Sequence, residues 1–494
     1  MAVLVGDADA VQRHIEAGTD LNERDAYGST PLTIAATFGR ADATRALLDA
    51  GADPDLTDAN GSTPLHIAAF LGRTAIVRAL LDHGADKYLR NDAGRTALGS
   101  VTLPFDELRP TYDDIARGLA PLGLALDYDH IRAERPTIAD MLRPSADELA
   151  AVAYAPVRGD PWPISTPEDQ GLDPAALAEV YLNAATLDNL YSLLVIKDGR
   201  LIGERYFNGV SMEQKTLVQS VTKSFTSALL GLALEQGCLT SLDQRMLEYF
   251  PVQADRVTDP RKRQITLRQM LQMRAGYPWE ETDDTLWAGL NSGEYLRLVS
   301  EFPLSADPGT TFQYSNLTSA WLADIVARAC GTDLLSFAQE HLFGPLGIEA
   351  GEWWQDVDGN YIGLGTLHLS ARDAARFGLL YLQGGAIDGR QIIPTEWVRD
   401  SLRTYSEHAW PDVGAFRNIG YGYQWWTATA GNHHVQYAWG HGGQLIVLIP
   451  DRDMVVVATS DPHYPGPRGD AESWHDEAAT LSLVSGFIRS RPGE

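Results

Sequence analysis

The chain has 494 residues, of which 44% are hydrophobic and 21% charged, the composition of a soluble globular protein. This length exceeds one ordinary hydrophobic core, so we expect two or three domains. The formal net charge of -27 argues against non-specific binding to nucleic acid or to an anionic membrane surface. The two cysteines, Cys238 and Cys330, are too few for a disulfide framework, and we expect small buried thiols in a reducing compartment.

The N-terminal stretch MAVLVGDADAVQRHIEAG has neither a basic segment nor an apolar run of signal-peptide length. Elsewhere, no stretch approaches the roughly 20 apolar residues that a membrane-spanning helix needs. The sequence therefore predicts a cytoplasmic protein without membrane contacts.

The first hundred residues contain an internal repeat. Glycines recur at intervals of 33 residues, at Gly28, Gly61 and Gly94. The triplet T-P-L begins at Thr30 and at Thr63, and an altered form, T-A-L, begins at Thr96. The period, the triplet and the G-A-D after each second helical segment resemble the ankyrin repeat.

The ankyrin resemblance implies a turn and two short helices in each unit, whose apolar residues one repeat cannot bury alone. In the first complete repeat these residues are Leu32, Ile34, Ala35, Leu47 and Leu48. We expect an all-α ankyrin solenoid over residues 1–100 and a helical cap with a linker over residues 101–164. Such a stack offers a surface for a protein partner. Packing on the following domain, as a lid or a dimer contact, is the alternative, and the oligomeric state is left open.

From residue 165 the pattern changes to strands at both ends with helices between them. Asp173 and Pro174 are suited to the N-cap and the first position of a helix. The stretch SLLVIKDGRLIGERYF predicts a β-hairpin that turns at Asp198-Gly199. Near the C-terminus, YGYQWWTAT, QLIVLIPD and MVVVATS predict strands, and residues 478–488 a final helix. This order favours an α+β domain with one antiparallel sheet, flanked by helices.

One candidate motif is Ser220-Val221-Thr222-Lys223, at the start of an apolar helix that ends at Gly237. Residues three apart lie on one face of a helix, so the hydroxyl and the amine can meet. A serine needs a nearby base to act as a nucleophile, and a lysine buried in an apolar core can lose its proton near neutral pH. The alternative is a capping serine beside a solvated lysine.

A second candidate is Tyr314-Ser315-Asn316, in the turn before another helix. A tyrosine near a lysine can form phenolate more readily and can then pass a proton to and from a nucleophile. The Asn316 amide can donate to a substrate carbonyl and accept from Lys223. The alternative is an aromatic anchor with a capping asparagine.

A third candidate, WGHGGQ at residues 439–444, precedes the strand LIVLIP. Glycines such as Gly443 let a substrate backbone approach a strand closely. A backbone N–H in this stretch, with that of Ser220, can form an oxyanion hole. The alternative is a glycine bulge or a simple hairpin turn.

In this order, the three motifs resemble the serine β-lactamase and penicillin-binding-protein superfamily, over roughly residues 165–490. Y-x-N in place of S-D-N points to its class C side, and the sequence around the motifs is most similar to the family VIII carboxylesterase and 6-aminohexanoate-dimer hydrolase branch. The resemblance implies a serine hydrolase domain at 165–494, with an all-helical subdomain. It makes Ser220 the acylated nucleophile, Lys223 its activating partner and Tyr314 the proton shuttle.

By the same resemblance, Asn316 orients Lys223 and the substrate, and His441, Gly443 and Gln444 form the substrate and oxyanion edge. His441 stands where the family often has a lysine. Because histidine is mostly neutral at pH 7, we expect weak binding of a substrate carboxylate, which favours esterase or amidase activity on a small substrate. The alternatives are a β-lactamase or D-amino-acid-type peptidase, and an ankyrin binding protein with a non-catalytic hydrolase-like scaffold.

Four other residues have weaker claims to function. Trp279 and Glu280 are predicted to lie on the cleft rim or in a surface loop. His433 and His434 lack companion ligands at metal-binding spacing, so a solvated loop is expected there. The sequence implies neither a metal nor a cofactor.

Overall fold

A computed structural model describes residues 1–157, 162–465 and 473–489. The chain forms two compact units, Met1–Val152 and Ala153–Glu494. The predicted helical cap and linker over 101–164 crosses their boundary, and its residues 158–161, which include Pro161, lie outside the described residues. None of the helices in the described ranges combines the length and the apolar character that crossing a bilayer requires.

The first unit is entirely helical in its secondary structure. Its helices are α1 (Ala2–Val5), α2 (Ala8–Glu16), α3 (Pro31–Phe38), α4 (Ala41–Asp49), α5 (Pro64–Phe70), α6 (Thr74–Asp82), α7 (Ala97–Thr102), α8 (Phe105–Leu119), α9 (Tyr128–Leu142) and α10 (Ala146–Ala150). The repeated pairs α3–α4 and α5–α6 confirm the repeat architecture predicted from the sequence.

The recurring threonine explains the triplet. Thr30, Thr63 and Thr96 are the N-caps of α3, α5 and α7, and each side chain accepts a hydrogen bond from a backbone N–H in the first turn of its helix. A proline at the first helical position loses no hydrogen bond, which accounts for the P of T-P-L. Leu32, Leu47 and their counterparts in the next repeat are then buried between repeats.

The strands of the described residues are β1 (Leu190–Lys197), β2 (Arg200–Tyr206), β3 (Thr216–Leu217), β4 (His368–Leu369), β5 (Ala386–Ile387), β6 (Arg390–Gln391), β7 (Phe416–Tyr421), β8 (Trp426–Ala430), β9 (His433–Gly440), β10 (Gln444–Ile449) and β11 (Met454–Ser460). The second unit is built on a seven-stranded sheet in the order β2-β1-β11-β10-β9-β8-β7, with every adjacent pair antiparallel. Because β1 pairs with β11, the ends of the domain complete one sheet, as predicted.

Helices flank the sheet and form a helical region between β3 and β4. They are α11 (Pro174–Ala184), α12 (Thr222–Glu235), α13 (Pro251–Ala254), α14 (Leu267–Leu271), α15 (Asp284–Asn291), α16 (Tyr295–Glu301), α17 (Asn316–Cys330), α18 (Leu334–Ala338), α19 (Gly344–Leu346), α20 (Ala371–Leu382), α21 (Thr395–Ser401) and α22 (Ser473–Arg489). Helices α12 and α17 belong to one hydrophobic core, and Gly363 lies between them, where a β-carbon would stand 2.4 Å from that of Ala323.

Two local predictions in this unit are confirmed and two were wrong. Asp173 caps α11, and the β1–β2 hairpin turns at Asp198, whose φ is 50°. The stretch YGYQWWTAT is not one strand, because the chain turns between β7 and β8 with Gln424 at φ 60°. His433 and His434 begin β9 instead of lying in a loop, because they pair with the end of β8.

The cysteine prediction was also wrong. Cys238, just beyond α12, and Cys330, the last residue of α17, form a disulfide across 92 residues of chain, and both are half-buried. Spacing alone could not show that the C-terminal ends of the two helices meet. The inference of a reducing compartment therefore loses its premise.

We predict that reduction destabilises the second unit by roughly 2–4 kcal/mol, because the disulfide restricts the unfolded chain across a long loop. The measurement is the thermal midpoint of the full-length protein with and without reductant. The double variant Cys238→Ser/Cys330→Ser should have the lower midpoint and should not respond to reductant. Two free thiols in the denatured, unreduced wild-type protein would contradict the pairing.

Candidate active site

Ser220 lies in a single 3-10 turn, Gln219–Val221, immediately before α12. The turn begins with Gln219 at φ 48°, a left-handed conformation that non-glycine residues rarely adopt. It is held against the sheet where Gly440 ends β9, since a β-carbon there would stand 2.5 Å from the Val218 carbonyl oxygen. Ser220 remains partly exposed. The strained turn therefore leaves Ser220 partly accessible at the start of the buried helix α12.

Lys223 is buried, with 1% of its surface exposed, and its amine lies among three acceptors. Nζ donates to Ser220 Oγ at 2.7 Å, to Asn316 Oδ1 at 2.9 Å and to the Leu364 carbonyl oxygen at 2.6 Å. An ammonium has three protons, so this geometry satisfies each of them. The structure thus brings together the serine, lysine and asparagine of the first two motifs.

Burial lowers the pKa of Lys223 to about 7, although the carboxylates of Glu281 and Glu280 act to raise it. Desolvation disfavours the charged amine, and this effect exceeds the attraction of the two acids. A lysine with this pKa is neutral in about half of the molecules at pH 7. Such an amine can accept a proton from the adjacent hydroxyl.

Tyr314 lies beside Lys223, with its ring centroid 5.0 Å from Nζ and its ring stacked on Trp426 at 5.6 Å. Burial raises the pKa of Tyr314 above its usual value, and the Glu281, Glu280 and Glu477 carboxylates add to this, while a hydrogen bond with Ser220 opposes it. The expectation of a more accessible phenolate was therefore wrong. At this site the neutral phenol is favoured over the phenolate.

Asn316 is fixed at both ends by two glutamates whose role the sequence did not reveal. Its backbone N–H donates to Glu280 Oε2 at 2.9 Å, and its Nδ2 donates to Glu281 Oε1 at 3.1 Å. Glu280 is fully buried, contrary to the alternatives of a cleft rim or a surface loop. Glu280 stands 36 residues before Asn316 in the chain, so no local sequence pattern linked this carboxylate to the start of the helix.

The third motif lies at the turn between β9 and β10. Gln444 pairs with Gly440 across these strands, and Gly443 has φ 96°, so the turn is tight. The Gln444 side chain points away from any substrate role, because its amide exchanges hydrogen bonds with the Ser460 backbone. The side chain of Gln444 is therefore occupied, and Gly440 places this turn next to that of Ser220.

His441 does not behave as an isolated histidine. Its Nδ1 lies 3.1 Å from Glu477 Oε2, and the same oxygen accepts from the Gly442 N–H at 2.8 Å. The hydrogen bond with Glu477, a buried residue of α22, raises the pKa of His441, with further contributions from the charges of Glu477 and Glu281 and opposition from burial. The expectation of a mostly neutral His441 overlooked this acid, which the sequence places 36 residues away.

The remaining candidates have other partners. Trp279 is half-buried and contacts Trp410 at 5.2 Å between ring centroids. His433 pairs with Asp451 at 2.6 Å. Within the described ranges, histidine, cysteine and acidic side chains form no group of three that could hold a metal.

The antiparallel sheet, the central helix and the three motifs define a β-lactamase-like fold preceded by ankyrin repeats. Residues 191–480 match the family model described as Beta-lactamase, so the chain belongs to that family. Residues 1–91 match the model for ankyrin repeats in three copies. The family and fold class predicted from the sequence are confirmed.

Relatives of this domain include hydrolases of different names. The chain is 28% identical over 306 residues to the 6-aminohexanoate-dimer hydrolase of Paenarthrobacter ureafaciens, covering 58% of this chain and 74% of that protein. It is 33% identical over 104 residues to the lovastatin esterase of Penicillium rubens, covering 19% and 26% respectively. The solved structure of EstCE1, a hydrolase with promiscuous acyltransferase activity, shares the fold, with a TM-score of 0.50, 16% identity and coverage of 62% and 98%.

We predict that Glu477→Gln lowers the pKa of His441, because it removes the carboxylate that favours the imidazolium. The measurement is a histidine NMR titration of the full-length protein, with the His441 signal assigned from His441→Gln. Glu340→Gln, an exposed acid beside His341, is the matched control and should leave the His441 midpoint unchanged. Equal His441 midpoints in wild type and Glu477→Gln would contradict the pairing.

Proposed function

We propose that the protein is a serine hydrolase that forms an acyl-enzyme on the ester or amide bond of a small substrate. The observation that carries the proposal is the 2.7 Å contact between Lys223 Nζ and Ser220 Oγ, made by a lysine that burial keeps substantially neutral. A serine needs this kind of adjacent base to become a nucleophile. The contact links proton acceptor and nucleophile directly.

In the proposed acylation step, Ser220 Oγ bonds to the substrate carbonyl carbon while its proton passes to Lys223 Nζ. The carbonyl oxygen gains the negative charge, and the backbone N–H groups of Ser220 and Gln444 stabilise it. The bond to the leaving group then breaks, and Tyr314 donates its phenolic proton to that group. Lys223 returns a proton to Tyr314, which restores both residues to their starting states.

Deacylation reverses these proton movements with water as the nucleophile. Water gives a proton to the Lys223–Tyr314 pair as its oxygen bonds to the acyl carbon. The Ser220 oxygen then leaves and recovers a proton. No other co-reactant is required, and the net reaction consumes one water for each ester or amide bond.

Among substrates, we propose small linear esters and amides. The chain covers 74% of the Paenarthrobacter ureafaciens protein, whose name gives a 6-aminohexanoate dimer as its substrate, and part of an esterase. A second candidate is β-lactamase or D-amino-acid-type peptidase activity. It is favoured by Glu477, because a protonated His441 could bind a substrate carboxylate.

The ankyrin repeats are proposed to bind a protein partner or to regulate the hydrolase. An ankyrin binding protein with a non-catalytic scaffold is the alternative of another class, and the intact Ser220–Lys223–Asn316 contacts argue against it. A cytoplasmic location remains a prediction, and the Cys238–Cys330 disulfide weakens its premise. Cell fractionation with a thiol count of each fraction tests it.

We predict that the purified protein hydrolyses a short-chain p-nitrophenyl ester and that Ser220→Ala abolishes this turnover. The substitution removes only one oxygen, so the fold should persist. Mass spectrometry should find an acyl adduct on the Ser220 peptide of the wild type. A folded wild-type protein without turnover and without an adduct would refute the hydrolase proposal and favour the non-catalytic scaffold.

The substrate class is tested by comparing kcat/KM for three compounds: the ester, a linear amide of 6-aminohexanoate and a chromogenic cephalosporin. Turnover of the ester and amide, with the cephalosporin at least about 100-fold slower, is expected for the first candidate. The reverse order would select the second candidate. Each activity must vanish in Ser220→Ala.

We predict that kcat/KM falls about tenfold for each pH unit below pH 7, because protonated Lys223 cannot accept the Ser220 proton. The pH profile of ester hydrolysis, corrected for spontaneous hydrolysis, measures this acid limb. Lys223→Gln should lose the limb together with at least about 100-fold of the rate. A flat profile between pH 5 and 8 would show that Lys223 is not the titrating base.

A further inference from the structure

Two adjacent glutamates, Glu280 and Glu281, lie in the loop before α15 and contact residues 315–317 at the start of α17. Glu280 binds the beginning of α17, where the first backbone N–H groups of a helix lack partners. Its Oε1 accepts from Ser315 Oγ at 2.7 Å and from the Leu317 N–H at 3.1 Å, and its Oε2 accepts from the Asn316 N–H at 2.9 Å. One buried side chain thus fixes three consecutive residues directly after Tyr314.

Glu281 acts on the Asn316 side chain. This exposed carboxylate accepts from Nδ2 at 3.1 Å, while Oδ1 accepts from Lys223 Nζ. A carboxylate accepts hydrogen bonds and cannot donate them, so Glu281 selects the amide orientation with Nδ2 facing outward. The oxygen must then face Lys223. With the amide reversed, an NH2 group would face the lysine amine, and Nζ would lose an acceptor.

We propose that Glu280 and Glu281 are positioning residues for the reaction proposed above. Glu280 holds the backbone of residues 315–317 beside Tyr314, and Glu281 orients the Asn316 amide toward Lys223. Neither glutamate is proposed to touch the reacting atoms. The inference rests on the proposed function, since it assigns what keeps the base and the proton donor in place.

The pair also acts through charge. Glu280 and Glu281 are the carboxylates that raise the pKa of Lys223 against its burial, and the other titratable group beside the amine is the Tyr314 phenol. Replacing either carboxylate by a neutral amide should therefore let the pKa of Lys223 fall further. The acid limb of the pH profile would move to lower pH, a response that a purely structural role would not produce.

The test compares Glu280→Gln, Glu281→Gln and Glu281→Leu in the full-length protein. Glu281→Gln keeps an acceptor for Asn316 but removes the charge, so the limb should move with less than about tenfold loss of kcat/KM on the plateau. Glu281→Leu removes both the acceptor and the charge. Its kcat/KM on the plateau should fall about 10- to 100-fold, because the Asn316 amide is no longer held in place. Glu280→Gln should combine a limb shift with at least tenfold loss of kcat/KM, as one backbone N–H would face an NH2 group.

The matched control is Glu235→Gln, an exposed acid at the last residue of α12, about 18 Å along the helix from Lys223. It removes the same charge and should leave both limb and plateau unchanged. If Glu280→Gln fails to fold, the two Glu281 variants decide the question, because that side chain is exposed. The inference would be overturned if both Glu281 variants had the acid limb and the plateau value of kcat/KM that the wild type has.

A second readout separates this inference from the proposed function. NMR of protein labelled with 13C at the lysine ε carbon follows the Lys223 titration directly, with the signal assigned from Lys223→Arg. Its midpoint should fall in Glu281→Gln even if no substrate is turned over. An unchanged midpoint would overturn the effect of the Glu281 charge on Lys223 while leaving ester hydrolysis by Ser220 intact. Absence of wild-type turnover with a shifted midpoint would overturn only the hydrolase proposal.

Discussion

The burial of one lysine amine organises the second unit. Lys223 is removed from water, and an ammonium without partners would be costly there, so the fold must supply acceptors. They come from separate parts of the chain: Ser220 in the turn before α12, Asn316 at the start of α17 and the Leu364 carbonyl beyond Gly363. The site therefore requires that α12 packs against α17 and that Gly363 fits between them, and the hydrophobic core has the same two requirements.

Local physical chemistry made much of the fold predictable. Thr30, Thr63 and Thr96 cap helices whichever partner the repeats bind, and Asp198-Gly199 favours its turn whatever the sheet contains. The three motifs were visible because each combines residues that are near in sequence. The meeting of Ser220 and Lys223 required only helical spacing, and its prediction agrees with their contact.

What the sequence did not reveal depends on contacts between distant segments. Glu477 reaches His441 only because α22 lies behind the β9–β10 turn, and this contact raises the pKa of a histidine that the sequence predicted to be mostly neutral. Cys238 and Cys330 pair because α12 and α17 end side by side. The aromatic residues of YGYQWWTAT favour a strand, so the sequence did not indicate the turn between β7 and β8, where Gln424 adopts a left-handed conformation.

Burial separates the pKa of the proposed base, Lys223, from that of the proposed acid, Tyr314. Burial disfavours both the cationic amine of Lys223 and the anionic phenolate of Tyr314. It therefore lowers the pKa of the lysine and raises the pKa of the tyrosine. The nearby carboxylates raise both pKa values. The pKa of Lys223 therefore falls only to about 7, and that of Tyr314 rises further above its usual value. Two groups whose pKa values are pushed apart in this way can exchange a proton in a fixed order. Because the nearby carboxylates raise both pKa values, it is burial that would set the order in which the two groups take part in the proposed proton transfer.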